Sequence, residues 1–178
     1  MEGMGIIARL LHREYSTDVI ELLTSQHDEV DALFEAIEKG EGPRASLFAE
    51  LADKLAAHAT IEEKVFYPAI LVKATDAQLH EAVEEHLAIK RVLADLITMR
   101  VDDATFRAKL SVLKEEVSHH AHREEEAKLF PQVKALLDAD QRAALGNECL
   151  VMFEQLITGR PRESVPNETG AAAPLASR

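Results

Sequence analysis

His58-Ala-Thr-Ile-Glu62-Glu63-Lys-Val-Phe-Tyr-Pro68 sets an imidazole and a carboxylate four residues apart inside a run that otherwise reads as core. On a helix that spacing is just over one turn, so both groups lie on one face, stacked along the axis. Leu51 and Leu55 precede His58 by seven and three residues, and Val65, Phe66 and Ala69 continue the same stripe. The face carrying His58 and Glu62 is therefore the buried one. A buried carboxylate is costly unless it is paired or binds a metal, and a buried imidazole also needs a partner. The rest of the chain must supply that partner.

A second copy does so. In Val117-Ser-His119-His120-Ala-His122-Arg-Glu124-Glu125-Glu126-Ala-Lys-Leu-Phe-Pro131, His120 and Glu124 repeat the i, i+4 pair, again with Leu113 and Val117 seven and three residues before the histidine. Two further histidines lie on apolar stripes: His27 among Ile20, Leu23, Val30 and Phe34, and His86 among Leu79, Val83, Ile89 and Leu93. Four helices thus each offer nitrogen to a common interior, and two of them also offer oxygen.

The chain of 178 residues suits one domain with a substantial core. Hydrophobic residues make up 47% of it and aromatics only 4%, a helical profile with no strand-like alternation. A net charge of −12 argues against sequence-independent binding to nucleic acid or anionic lipid, which needs clustered Lys and Arg. A single cysteine, Cys149, forms no internal disulfide, so the cytoplasm is the expected compartment, and no apolar run is long enough to suggest a membrane span.

In chain order, residues 1–15 read as an N-terminal arm. Ser16-Thr17-Asp18 opens the first long helix and Gly40-Glu-Gly42-Pro43 ends it. The second helix is expected from about Arg44 to Val72, with Pro68 kinking it or ending its regular part. Asp76 is the expected cap of the third helix, and Asp102-Asp103 restarts the chain before the fourth. Short connections between long amphipathic helices predict an all-α, up-down-up-down four-helix bundle, with an additional C-terminal helix over residues 139–158. Beyond Gly159 the Pro, Gly, Ala and Ser content predicts a disordered tail over residues 159–178.

A lone histidine on an apolar stripe is more often a hydrogen-bonded core residue than a ligand. Two inward His-x-x-x-Glu pairs on separate helices, however, have no simple apolar explanation. Together His27, His58, Glu62, His86, His120 and Glu124 give six nitrogen and oxygen ligands, a number suited to two metal ions sharing carboxylates. Without cysteine ligands the donor mix favours iron over manganese or zinc. Six ligands underfill two octahedral ions, leaving positions for water, a bridging oxide or hydroxide, and a small incoming ligand. Glu63, Glu125 and Glu126 read as solvated or supporting acids, Tyr67 as packing with an option to hydrogen-bond a bound oxygen species, and His12, His80 and His119 as surface residues.

At Gln26-His27-Asp-Glu-Val-Asp-Ala-Leu-Phe34, the His58-to-Pro68 stretch, Glu85-His86 and the His119-to-Pro131 segment, the chain resembles the hemerythrin-like proteins that carry the HHE cation-binding domain, over roughly residues 17 to 137. The resemblance implies a four-helix bundle around a non-haem di-iron centre, with His27, His58, Glu62, His86, His120 and Glu124 at matching ligand positions. The two copies differ in register, since Glu62 precedes its proline by six residues and Glu124 precedes Pro131 by seven. Counting back from Leu-Phe-Pro favours Glu125 instead, His122 with Glu126 is a third option, and a helix bulge would reconcile them. In the third helix, Lys90 stands where oxygen-carrying hemerythrins have another histidine, which points to a more carboxylate-rich and more oxidisable centre.

The function expected from this set is a di-iron protein that binds or reacts with dioxygen, peroxide or nitric oxide in sensing or stress defence, with peroxidase, catalase-like or oxidase activity as its enzymatic options. The alternatives are non-catalytic iron or cation storage and a structural metal such as zinc. The expected partners are those small ligands, not nucleic acid or membrane, and the chain is expected to be a monomer or homodimer.

Overall fold

Asp18 starts the first helix, accepting a hydrogen bond from the Ile20 amide at 2.9 Å, and α1 runs over Val19–Lys39. Gly40, at φ 68°, ends it in the left-handed conformation that favours glycine, its N–H reaching back to Ala36 and Ile37 carbonyls. The computed structural model describes residues 18–178, so the expected arm over 1–15 lies outside the described residues. Among the described residues there is no strand.

α2 spans Arg44–Ile61 and passes without a break into a π-helical turn, Glu62–Phe66, and then α3, Tyr67–Ile70. α4 covers Asp76–Thr98. The residue that fastens its start is Thr75 rather than Asp76: the Thr75 hydroxyl donates to the Ile70 carbonyl at 2.6 Å and accepts from the Val72 amide at 3.1 Å. α5, Phe106–Ser118, continues into a longer π-helical stretch, His119–Leu129, and α6, Phe130–Leu136. Pro68 and Pro131 each sit just past a π-helical stretch. Proline cannot donate to the carbonyl four residues back and crowds it, and the wider π turn relieves that conflict without ending the helix.

Asp138 and Gln141 form a reciprocal capping box at the head of α7, Ala139–Thr158. Beyond Gly159 the structure departs from the disordered tail that composition suggests. Pro161–Glu168 forms a 3-10 helix, Val165 within it is fully buried, and Arg162 pairs with Asp53 on α2. A lone apolar residue among polar ones carries no local periodic signal, so the packing of this segment shows only when α2 and α4 are placed beside it.

The apolar interior falls into two clusters. One gathers Leu23 from the start of α1, Ile61 and Phe66 from the end of the second helical unit, Val83 from the start of α4, and Leu129 and Phe130 beyond the fourth, with Cys149 from α7. The other gathers Phe34, Phe48, Leu93, Phe106 and Leu113 from the opposite ends of those helices. His27, His58, His86 and His120 each fall between the two clusters along their own helices. The polar centre is thus a layer walled by hydrocarbon at both ends.

Candidate metal centre

Each of the four histidines is fixed through its Nδ1. His27 Nδ1 donates to Glu126 Oε1 at 2.7 Å, His58 Nδ1 to Gln26 Oε1 at 2.7 Å, His86 Nδ1 to Glu63 Oε1 at 2.9 Å, and His120 Nδ1 to Glu85 Oε2 at 2.6 Å. Every acceptor is an oxygen, so every Nδ1 carries the proton and every Nε2 is left to face the interior. Carboxylates and carbonyl oxygens behind histidines are the usual means of orienting metal ligands. Gln26 and Glu85 belong to the segments that carry the family resemblance, but the sequence assigns neither a role. The only local signal is a polar residue directly before each lone histidine, and each in fact serves the histidine of another helix.

The inward atoms form two groups. Ligand atoms of His27, His58, Glu62 and Glu125 lie within 4.8 Å of one another, as do those of Glu62, His86 and His120, and all of these residues are buried. Glu62 belongs to both. Its Oε1 is 3.0 Å from His58 Nε2, and its Oε2 is 3.1 Å from His86 Nε2 and 3.9 Å from His120 Nε2. Glu125 is placed in the same manner, Oε2 being 3.2 Å from His27 Nε2 and Oε1 3.7 Å from His120 Nε2.

This donor set fits cations. His27 Nε2, His58 Nε2, Glu62 Oε1 and Glu125 Oε2 are buried without a hydrogen-bond partner, although the nitrogen-oxygen pairs among them approach to 3.0 and 3.2 Å. Close approach without hydrogen-bond alignment is what results when donors aim at a shared point rather than at each other. In the second group, His86 and His120 bring their Nε2 atoms to 3.0 Å. With both Nδ1 protons engaged, two such lone pairs require a proton or a metal between them.

The sixth predicted position is different. Glu124 points away from the cluster and pairs with Lys128 at 2.7 Å and His119 at 3.6 Å, while Glu125, 1% exposed, faces the interior. The π-helical stretch His119–Leu129 is the reason: with i to i+5 hydrogen bonding, His120 and Glu125 share a face. The shorter π turn acts similarly, bringing Tyr67 onto the face of Glu62. The Tyr67 hydroxyl donates to Glu125 Oε1 at 2.8 Å and lies 3.3 Å from Glu62 Oε2. His122 and Glu126 form an outer group with Asp31, His122 Nε2 donating to Asp31 at 2.8 Å. His80 and His119 are exposed, and His12 lies outside the described residues.

Lys90 is buried and its ammonium donates to both Glu63 oxygens at 2.9 Å. The residue standing at the extra ligand position of oxygen carriers therefore supports His86 through Glu63 instead.

Burial works against charge on His27, but Glu125 and Glu126 outweigh it and raise its pKa from 6.5 to about 9. Burial likewise opposes ionisation of Glu62, yet the neighbouring His58, His120 and His86 hold its carboxyl well below the usual range. A raised histidine pKa contributes stability that is fully present below the unfolded value and lost as pH rises through the folded one. The metal-free chain is thus expected to lose on the order of 3 kcal/mol from His27 alone between about pH 6.5 and 9. Thermal melts of chelator-treated protein check this, and a Tm that climbs over that range would contradict the geometry. Metal loading should show the opposite dependence, because ions compete with protons for the same nitrogens.

Residues 18–133 match the hemerythrin HHE cation binding domain family, and the chain belongs to that family. A hemerythrin HHE cation binding domain-containing protein of known structure, from Mycobacterium kansasii, superposes with a TM-score of 0.71 at 23% identity, over 85% of this chain and 98% of that one. The two share the fold. A DNA nickase from Nostoc sp. strain PCC 7120 is 25% identical over 126 residues, which are 70% of this chain but 36% of that protein. The chain accordingly spans about a third of the length of this curated relative.

Proposed function

We propose that the chain is a non-haem di-iron protein whose centre binds or reacts with dioxygen, peroxide or nitric oxide, in sensing or in oxidative or nitrosative stress defence. The observation that supports this reading is the buried pair of donor groups sharing Glu62. His27, His58, Glu62 and Glu125 would hold one ion, and Glu62, His86 and His120 the other, with the second Glu125 oxygen in reach. The placement of helix starts and ends in alternating apolar clusters supports an up-down-up-down bundle as its scaffold.

Bound iron would supply electron exchange with small oxidants. The chain's own residues set its surroundings. Burial, together with Glu125 and Glu62, pushes the Tyr67 phenol well above its ordinary pKa, so the hydroxyl keeps its proton and can offer it as a hydrogen bond beside both groups. Phe66 and Phe130, packed edge to face at 6.0 Å, wall the layer against water. A net charge of −12 lends no support to a DNA-directed role, and a soluble, cytoplasmic setting with small-molecule partners fits it better.

Metal analysis of protein expressed in iron-rich medium, with optical spectra in air and after peroxide addition, tests the reading. Near-stoichiometric iron with an oxo-to-iron band is expected, and protein holding no iron and showing no such band would end it. Sustained peroxide consumption separates reaction from storage, which would give a single oxidation event.

A further inference from the structure

The strap Pro161–Glu168 lies beyond residues 18–133, the span the family match covers, and crosses from α2 to α4. On α2 it is held by Asp53, which accepts from the Arg162 amide at 3.1 Å and pairs with the Arg162 guanidinium. On α4 it is held by Arg91, whose Nε donates to the Thr169 carbonyl at 3.0 Å, and Glu168 stands 4.0 Å from the Lys90 ammonium. Between these anchors Val165 drops inward to 0% exposure.

Beneath Val165 is a cavity of about 40 Å³, lined by all four histidines and by Leu55, Ile89 and Leu93. A cavity needs roughly 10–15 Å³ to hold one water, so this one takes a molecule slightly larger than water. Water would find few partners in it. Lys90, Gln26 and Asp31 at its border are engaged, with Glu63, His58 and His122, while the unpartnered Nε2 atoms of His27 and His58 aim into the donor groups and are themselves shut off from water. The cavity suits an uncharged, weakly polar molecule of two or three atoms.

A short 3-10 helix has poor intrinsic hydrogen-bond geometry, and its attachment here rests on a few partly exposed side chains. We propose that the C-terminal strap, with Val165 as its stopper, gates the entry of small uncharged molecules to this cavity. Val165 is then a specificity-determining residue for whatever reaches the centre. The inference deepens the di-iron reading, and as a property of the polypeptide it can be tested without metal.

Xenon is the probe, applied to the whole 178-residue, metal-free chain and followed by 129Xe NMR and by crystals under xenon pressure. One xenon beside His58 and Val165 is expected. Val165→Met, which fills the space with a flexible side chain, should abolish that occupancy. Arg162→Ala, which frees one anchor, should raise the xenon exchange rate by roughly threefold or more, as expected for loss of one partly buried ion pair. Absence of xenon from the chamber, or exchange unchanged in Arg162→Ala protein whose circular dichroism matches the parent, would overturn the proposal. Xenon behaving as expected in a protein that takes up no iron would sink the di-iron reading and leave the chamber standing. Iron uptake without xenon would do the reverse.

Discussion

Glu125→Gln is expected to strip the centre of metal, whereas Glu124→Gln leaves it loaded. The two residues are adjacent and chemically identical, so the contrast isolates direction. Glu125 offers one oxygen to each donor group and is buried with His27 and His120. An amide in its place removes the charge that offsets two cations and replaces one oxygen donor by an NH2 that cannot ligate. Losing only a residue behind a ligand typically costs 10- to 100-fold in affinity, so loss of a shared ligand should exceed about 100-fold. Glu124 makes an exposed ion pair with Lys128, and its loss should leave both loading and stability close to those of the parent. Iron content after dialysis against a graded series of chelators reads both effects. Equal loss in the two variants, or loss in Glu124→Gln alone, would show that the fourth helical unit keeps α-helical register in solution.

Lys90→Met should destabilise the chain by roughly 3–5 kcal/mol, the range for breaking a buried pair by removing one partner. Among the described residues the ammonium is the one cation touching both Glu63 oxygens, and Glu63 is also the acceptor for His86. Without Lys90 the buried carboxylate keeps, among the described residues, only its bond from His86 Nδ1. Adding Glu63→Gln to that variant should recover much of the stability, because glutamine still accepts from His86 Nδ1 while carrying no charge to strand. Urea denaturation of the two variants and the parent, all metal-free, provides the comparison. A single variant as stable as its parent would mean that water reaches Glu63 freely.

The reasons the sequence reveals some of this and hides the rest are local. His27, His58, His86 and His120 could be placed inward because each interrupts an apolar stripe at helical spacing, and burial of a polar group is conspicuous in such a pattern. Glu62 opens the π turn but its amide still bonds the His58 carbonyl, so the i, i+4 rule finds it. Glu125 defeats that rule because the π-helical stretch beginning at His119 changes the period just where the rule is applied. The conflict between the upstream core spacing and the downstream Leu-Phe-Pro was the visible trace of that change. Lys90 reads from sequence only as a missing ligand, since its partner Glu63 comes from a different helix. Val165 is hidden for a related reason: the groove that receives it is made by α2 and α4, far away along the chain.

Cys149 sits fully buried against the apolar cluster that includes Leu23 and Phe66, and burial pushes its thiol from 9 up to about 12. Sulfur attacks electrophiles as the thiolate, so this side chain is chemically silent while α7 stays docked. Iodoacetamide would then modify the native chain only during excursions in which that helix lifts away. One naturally occurring sulfur thus works as a stopwatch for the opening of the molecule, with no reporter group needing to be introduced.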